Sequence, residues 1–240
     1  MNGNATTSAR IGDERIDVVV DTGGLGGIAI SPEDLGRLTV KFTGKTIERT
    51  DAAGDTFESR VFIVPELFLG GHRFEEVEGF ERIGSSAGFA GGPPMNVLGR
   101  ALLHDFTVVV DYPNGEIRLY SPDQSRSVCG LSTSKLLEKD DNILALPIET
   151  DGGQMLTLMD TGATYSFIQK KVVTSRNLKT VDDLYRTSAF RIGGRDFGPL
   201  EMVVLPIDGA PQIDALVGAN FFSRHAVCFD YQGRKVSIFN

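Results

Sequence analysis

Two carboxylates stand at matching points of a repeated pattern. Val18-Val19-Val20 runs into Asp21-Thr22-Gly23, and Leu156-Thr157-Leu158-Met159 runs into Asp160-Thr161-Gly162. Equivalent acids in two copies of a motif can be brought together by an approximate twofold axis. Two carboxyls in hydrogen-bond contact cannot both ionise cheaply, so they share one proton and titrate as a unit. Such a pair can hold a water. The ionised member takes the water's proton while the protonated member polarises a carbonyl, which gives a tetrahedral intermediate without a metal or a covalent step. Gly permits a tight turn and close approach of two backbones at a crowded axis, and the short Thr hydroxyl can lock the loop by hydrogen bonding.

The elements that must position these acids recur as well. An apolar-Gly-Gly-x-x-Phe block appears at Leu69-Gly70-Gly71 to Phe74 and at Ile192-Gly193-Gly194 to Phe197, and Val97 to Tyr120 aligns without a gap with Leu216 to Phe239. In that last block Gly99, Val108, Asp111 and Tyr112 match Gly218, Val227, Asp230 and Tyr231. Asp111-Tyr112 and Asp230-Tyr231 read as structural strand ends before turns. The interval from Asp21 to Gly70 is 49 positions and that from Asp160 to Gly193 is 33, so the first copy carries 16 extra residues. Most of the chain is short apolar or alternating runs separated by Gly, Asn and Asp turns, which predicts an all-β fold. Helical signals are few: Ser31-Pro32-Glu33-Asp34 with Ser at the N-cap and Pro at N1, a turn or two over Ala101 to Phe106, and a short helix over Ser166 to Arg176. The organisation expected is a first lobe at 1–122, a polar link at 123–143 and a second lobe at 144–240.

These triplets and blocks make the chain resemble the aspartic peptidases of the pepsin and retropepsin type, most closely the internally duplicated single-chain bacterial members. Leu98-Gly99 and Val217-Gly218 are similar to that family's second conserved element. The resemblance implies two pseudo-symmetric β-barrel lobes with a cleft between them and an endopeptidase acting on an extended peptide or protein segment. Asp21 and Asp160 would be its catalytic pair, supported by Thr22, Gly23, Gly24, Thr161, Gly162 and Ala163. The 16 extra residues fall where such enzymes carry a flap, in Thr46 to Val64, which reads as two strands about a turn. Ala52, Ala53, Gly54, Asp55, Thr56 and Phe57 would then cover the substrate. No metal or organic cofactor is implied, and a monomer is expected because both acids come from one chain. The resemblance also implies a bacterial periplasmic or secreted source, with the cytoplasm as the alternative.

The chain departs from the pepsin pattern in two places. Pepsin-type enzymes place Ser or Thr after each triplet, where this chain has Gly24 and Ala163, so the acids lose two hydroxyl donors that favour ionisation. A mildly acidic to near-neutral optimum is therefore expected. The flap segment has no Tyr, and Phe57 is the nearest substitute. A catalytically inactive peptide-binding module is the competing reading.

Composition excludes other classes. The 240 residues carry 24 Lys and Arg against 32 Asp and Glu, a net charge of −8, with no basic cluster to neutralise phosphates, so nucleic acid is not expected as a partner. No apolar run is long enough for a membrane span. Residues 1–9 lack the charged and apolar regions of a secretory signal. Gly84-Ser85-Ser86-Ala87-Gly88 imitates a nucleophile elbow, but lies in a Gly/Ser/Pro-rich loop instead of a strand-to-helix turn. Gly24-Leu25-Gly26 imitates a dinucleotide fingerprint, but no βαβ alternation follows. His72, His104 and His225 show no ligand spacing and read as partly exposed lobe residues. Cys129 and Cys228 could bridge or stay as free thiols.

Overall fold

The computed structural model describes residues 4–24, 26–50, 56–83, 95–130, 134–139, 143–207 and 211–239. It is mostly β, in two lobes that share a floor. The first lobe is a seven-stranded sheet in the order Thr6–Ile11, Glu14–Val20, Asn96–Leu98, Ile28–Ile30, His72–Glu81, Thr56–Leu69, Lys41–Thr50. Thr6–Ile11 also pairs with Thr56–Leu69, through Ala9↔Leu69 to Ile11↔Leu67, and this closes a barrel.

The second lobe repeats the pairing around its acid. In the first lobe Glu14–Val20 lies parallel to Asn96–Leu98, which pairs antiparallel with Ile28–Ile30. In the second, Gly153–Met159 lies parallel to Ala215–Val217, which pairs antiparallel with Ser166–Gln169. The apolar runs at the ends of these strands nearest the acids are buried, and Val18, Val20, Leu98 and Val217 are all fully so. The two Gly-Gly blocks are hairpin turns, closing Leu69↔His72 and Ile192↔Arg195. Both central residues have positive φ in each turn (56° and 86° at Gly70 and Gly71, 59° and 81° at Gly193 and Gly194), the geometry that glycine adopts without strain.

The third repeated block builds the floor. Thr107–Asp111 pairs antiparallel with Ala226–Asp230, in a five-stranded sheet completed by Glu116–Tyr120, Lys235–Phe239 and Ser134–Lys135. Val109 faces Cys228, and these two residues are equivalents in the gapless alignment, so the local twofold axis passes between them. Cys228 is also disulfide-bonded to Cys129 with a Cα–Cα separation of 5.6 Å, which resolves the alternative the sequence leaves open.

Two expectations change, and the expected link carries elements of its own. The helix expected over Ser166 to Arg176 is confined to Lys170–Ser175, because Ser166–Gln169 is taken as a strand between Ala215–Val217 and Leu200–Leu205. The tertiary pairing overrides the local signal. The 123–143 segment contains the helix Ser125–Cys129 and the short strands Ser134–Lys135 and Leu137–Lys139, so it is built into both neighbouring sheets. His225 is buried, with its ring 4.6 Å from that of Phe221 and 5.3 Å from that of Phe197. The short helices Pro32–Leu35, where the Ser31 hydroxyl accepts from the Asp34 N–H at 3.2 Å, and Arg100–Leu103 lie where the sequence expects them. No helix among the described residues is long and apolar enough to cross a membrane.

Candidate active site

Asp21 and Asp160 each sit one residue past the end of a buried strand, and the two loops meet across the lobes. The Thr161 hydroxyl accepts from the Thr22 N–H at 3.1 Å and donates to the Val20 carbonyl at 2.5 Å. The Thr22 hydroxyl accepts from the Thr161 N–H at 3.1 Å and donates to the Met159 carbonyl at 2.8 Å. The threonines thus lock each other's loops instead of their own. Both are buried, where four satisfied backbone groups matter more than at a surface.

The glycines set the spacing. A Cβ on Gly23 would lie 2.7 Å from Cγ of Asp160, and a Cβ on Gly162 would lie 2.7 Å from Cγ of Asp21. Each acid is therefore packed against the other lobe's glycine, at a distance no side chain tolerates.

The carboxylates are oriented by backbone donors. Asp21 Oδ1 accepts from the N–H groups of Gly23 at 2.9 Å and Gly24 at 2.7 Å, and Asp160 Oδ1 accepts from that of Gly162 at 2.7 Å. The two side chains are themselves hydrogen-bonded. Asp160 keeps some surface towards the cleft, but protein closes in its carboxyl from both lobes. Burial first, and the charge of Asp21 second, push the Asp160 carboxyl well above the ordinary carboxylate range, against the opposing pull of the Gly162 and Ala163 N–H groups.

The Leu98-Gly99 and Val217-Gly218 blocks hold these loops from beneath. The Asp21 N–H donates to the Leu98 carbonyl and that of Asp160 to the Val217 carbonyl, each at 2.9 Å. The N–H groups of Arg100 and Ala219 donate to the carbonyls of Gly24 at 2.7 Å and Ala163 at 2.9 Å. Each triplet and its block therefore form one hydrogen-bonded unit, which is why they recur together in the sequence.

The solved structures contain the same architecture. Over 97% of this chain and 93% of the other, the protein superposes on the aspartic proteinase from Irpex lacteus with a TM-score of 0.64 at 12% sequence identity. The fold is that of the pepsin-like aspartic proteinases. Residues 7–102, which include the first triplet and Leu98-Gly99, match the family described as aspartyl protease. No curated protein sequence matches the chain.

Of the expected site residues, Asp21, Thr22, Gly23, Gly24, Asp160, Thr161, Gly162 and Ala163 are together at the lobe junction. The expected flap is a hairpin of Lys41–Thr50 and Thr56–Leu69, longer than the sequence suggests, with Thr50 opposite Thr56. Its turn residues Ala52, Ala53, Gly54 and Asp55 lie outside the described residues, as does the Gly84–Gly88 loop. Phe57 is half-buried opposite Arg49, and Thr56 is exposed.

Three residues near the acids escape the sequence reading. The Tyr112 hydroxyl donates to the Thr161 carbonyl at 3.1 Å, so the Asp-Tyr repeat does more than end a strand. Arg49 and Arg82 both feel the charge of Asp21. For Tyr112 a signal existed in its repetition at Tyr231. For Arg49 there was none, because it lies in the interval that is longer in the first copy, and Arg82 is not repeated in the second.

Proposed function

We propose that this protein is an aspartic endopeptidase that hydrolyses peptide bonds of an extended peptide or protein segment, with Asp21 and Asp160 as its catalytic pair. The observation that carries the reading is the reciprocal locking of the two triplet loops, Thr22 to Met159 and Thr161 to Val20, which brings one acid from each lobe into contact. The pair shares one proton, since burial and the neighbouring charge of Asp21 push the Asp160 carboxyl well above the ordinary range. The ionised member takes a proton from a water held between them, and the protonated member polarises the scissile carbonyl as the tetrahedral intermediate forms. Breakdown returns a proton to the leaving amine. Gly23 and Gly162 let the pair close; Gly24 and Ala163 supply backbone contacts but no hydroxyl, which supports an optimum at mildly acidic to near-neutral pH.

Both acids belong to one chain, so the active unit is a monomer with lobes at 1–122 and 144–240 and a link at 123–143. The flap hairpin would shield the reaction from water. The Cys129–Cys228 bond fits an oxidising compartment.

Cleavage of an unstructured protein such as casein from pH 3 to 7.5, with wild type, Asp21→Asn and Asp160→Asn in parallel, tests the proposal. Activity lost in both variants is the expected result. A folded wild type that cleaves nothing across this range would overturn it in favour of a peptide-binding module that has kept the cleft.

A further inference from the structure

Several arginines of this chain are exposed and pair with carboxylates. Arg37 pairs with Glu14 and Asp34, Arg60 with Glu81, Arg73 with Glu66 and Glu75, Arg118 with Asp111 and Glu116, and Arg186 with Glu201. Arg49 and Arg82 are different. Both are half-buried, and neither has an ion pair among the described residues. Arg49 lies on the flap hairpin and Arg82 just beyond the end of His72–Glu81, with its N–H donated to the Ile30 carbonyl at 2.8 Å.

The position of Arg49 is fixed by contacts beside the loop of the first acid. The Arg49 guanidinium lies over the Phe80 ring, with Cζ 3.6 Å from the ring centroid. A Cβ on Gly26 would lie 2.8 Å from Phe80 and 3.8 Å from Arg49 Nη1, so the ring and the guanidinium pack against the loop that follows Asp21-Thr22-Gly23. Arg82 is close enough to Arg49 for the two charges to repel, and both are drawn to Asp21. Burial pushes both guanidinium groups below their ordinary range. Stacking occupies the face of the Arg49 guanidinium and leaves its N–H edge for an acceptor.

Two neighbouring cations partly out of water, without a carboxylate of the described residues at ion-pair distance, form an electrostatically incomplete arrangement that an anion would complete. The remainder of the protein gives no general attraction for anions, since the net charge is −8. A peptide laid across the dyad would run beside the Gly26 loop against which Arg49 packs.

We propose that Arg49 and Arg82 form a carboxylate-binding subsite on the first-lobe side of the cleft, which selects peptides carrying Asp or Glu within a residue or two of the scissile bond. This deepens, and rests on, the peptidase reading of the site. The planar fork of an arginine matches a carboxylate with two parallel hydrogen bonds, a geometry Gln cannot reproduce with charge.

Two measurements decide it. The first maps casein cleavage sites by mass spectrometry, then compares fluorogenic peptides built on the preferred site that differ by Glu or Gln at each flanking position. The expected result is one position where Glu is preferred by about tenfold or more in kcat/KM, falling towards parity in Arg49→Gln and Arg82→Gln and partly kept in Arg49→Lys. The second needs no turnover: fluorescence anisotropy with the Asp160→Asn protein and two labelled decapeptides, one with Glu and one with Gln at the acidic positions. Tighter binding of the Glu peptide, weakened by added salt and absent when Arg49→Gln is introduced, supports the subsite. Cleavage without any Glu preference and equal binding of the two peptides would overturn the subsite and leave the peptidase reading standing. A Glu preference unchanged in both arginine variants would overturn it too. Absence of cleavage would count against the peptidase reading alone, because the binding measurement still decides the subsite.

Discussion

Replacing Thr161 by Val tests whether the crossed threonines hold the dyad. The two side chains have nearly the same shape, so the substitution removes the hydroxyl while keeping most of the packing. That hydroxyl accepts from the Thr22 N–H at 3.1 Å and donates to the Val20 carbonyl at 2.5 Å. Val20 and Thr161 are fully buried and Thr22 is 4% exposed, so water does not replace the lost partner without opening the junction. One backbone donor and one backbone acceptor are left unpaired, each at about 1–3 kcal/mol, for a total of about 2–6 kcal/mol. Set against a typical stability of about 5–15 kcal/mol, this is a large fraction. Urea unfolding read by linear extrapolation measures it, with casein cleavage followed on the same preparations. Thr161→Ser keeps the hydroxyl and should lose only about 1 kcal/mol for the missing methyl, with most of the turnover retained. A Thr161→Val protein within about 0.5 kcal/mol of wild type, or a Ser variant as damaged as the Val variant, would refute the reasoning.

Asp160→Asn should abolish turnover yet raise the urea midpoint at pH 7. The folded protein holds the Asp160 proton more tightly than the unfolded chain, so ionisation opposes folding as pH rises above the ordinary value of 3.8; the gain should vanish as pH falls below that value, and a variant less stable at pH 7 would contradict the sign. Gly162→Ala puts a methyl 2.7 Å from Cγ of Asp21, and the displaced carboxylate should lower kcat/KM by about 100-fold or more; near-normal turnover would show that the dyad has room to spare. Reduction of Cys129–Cys228, which spans 99 positions, should lower stability by about 2–4 kcal/mol. Because Cys228 is fully buried and Cys129 is 5% exposed, the bond should resist reductant until denaturant is added, as followed by thiol labelling.

The acids, their glycines and the supporting blocks were legible in the sequence because the pattern occurs twice. Repetition separates Asp21 and Asp160 from other Asp residues at strand ends. What was not legible depends on contacts between the copies. Thr22 reads as a residue that locks its own loop, and only the crossing of the lobes shows its hydroxyl serving Thr161 and Met159. Ser166–Gln169 carries a plausible local helix signal and becomes a strand because two other strands flank it. Arg49 and Arg82 are 33 positions apart, and Arg49 lies in the interval that is longer in the first copy, so neither periodicity nor repetition marks them as neighbours. The disulfide needed the Cα separation that pairing of Thr107–Asp111 with Ala226–Asp230 supplies.

That pairing also bears on how the chain is made. Thr107–Asp111 leaves the ribosome well before its partner, and the last residue of that partner, Asp230, follows Asp111 by 119 positions. Throughout that interval one side of the strand presents unpaired backbone groups, the kind of open edge that recruits other chains. Such long-range pairing is slow to form. Completion of the first half thus waits on synthesis of the second, and the nascent protein is most exposed to misassociation in the seconds before its final strands emerge.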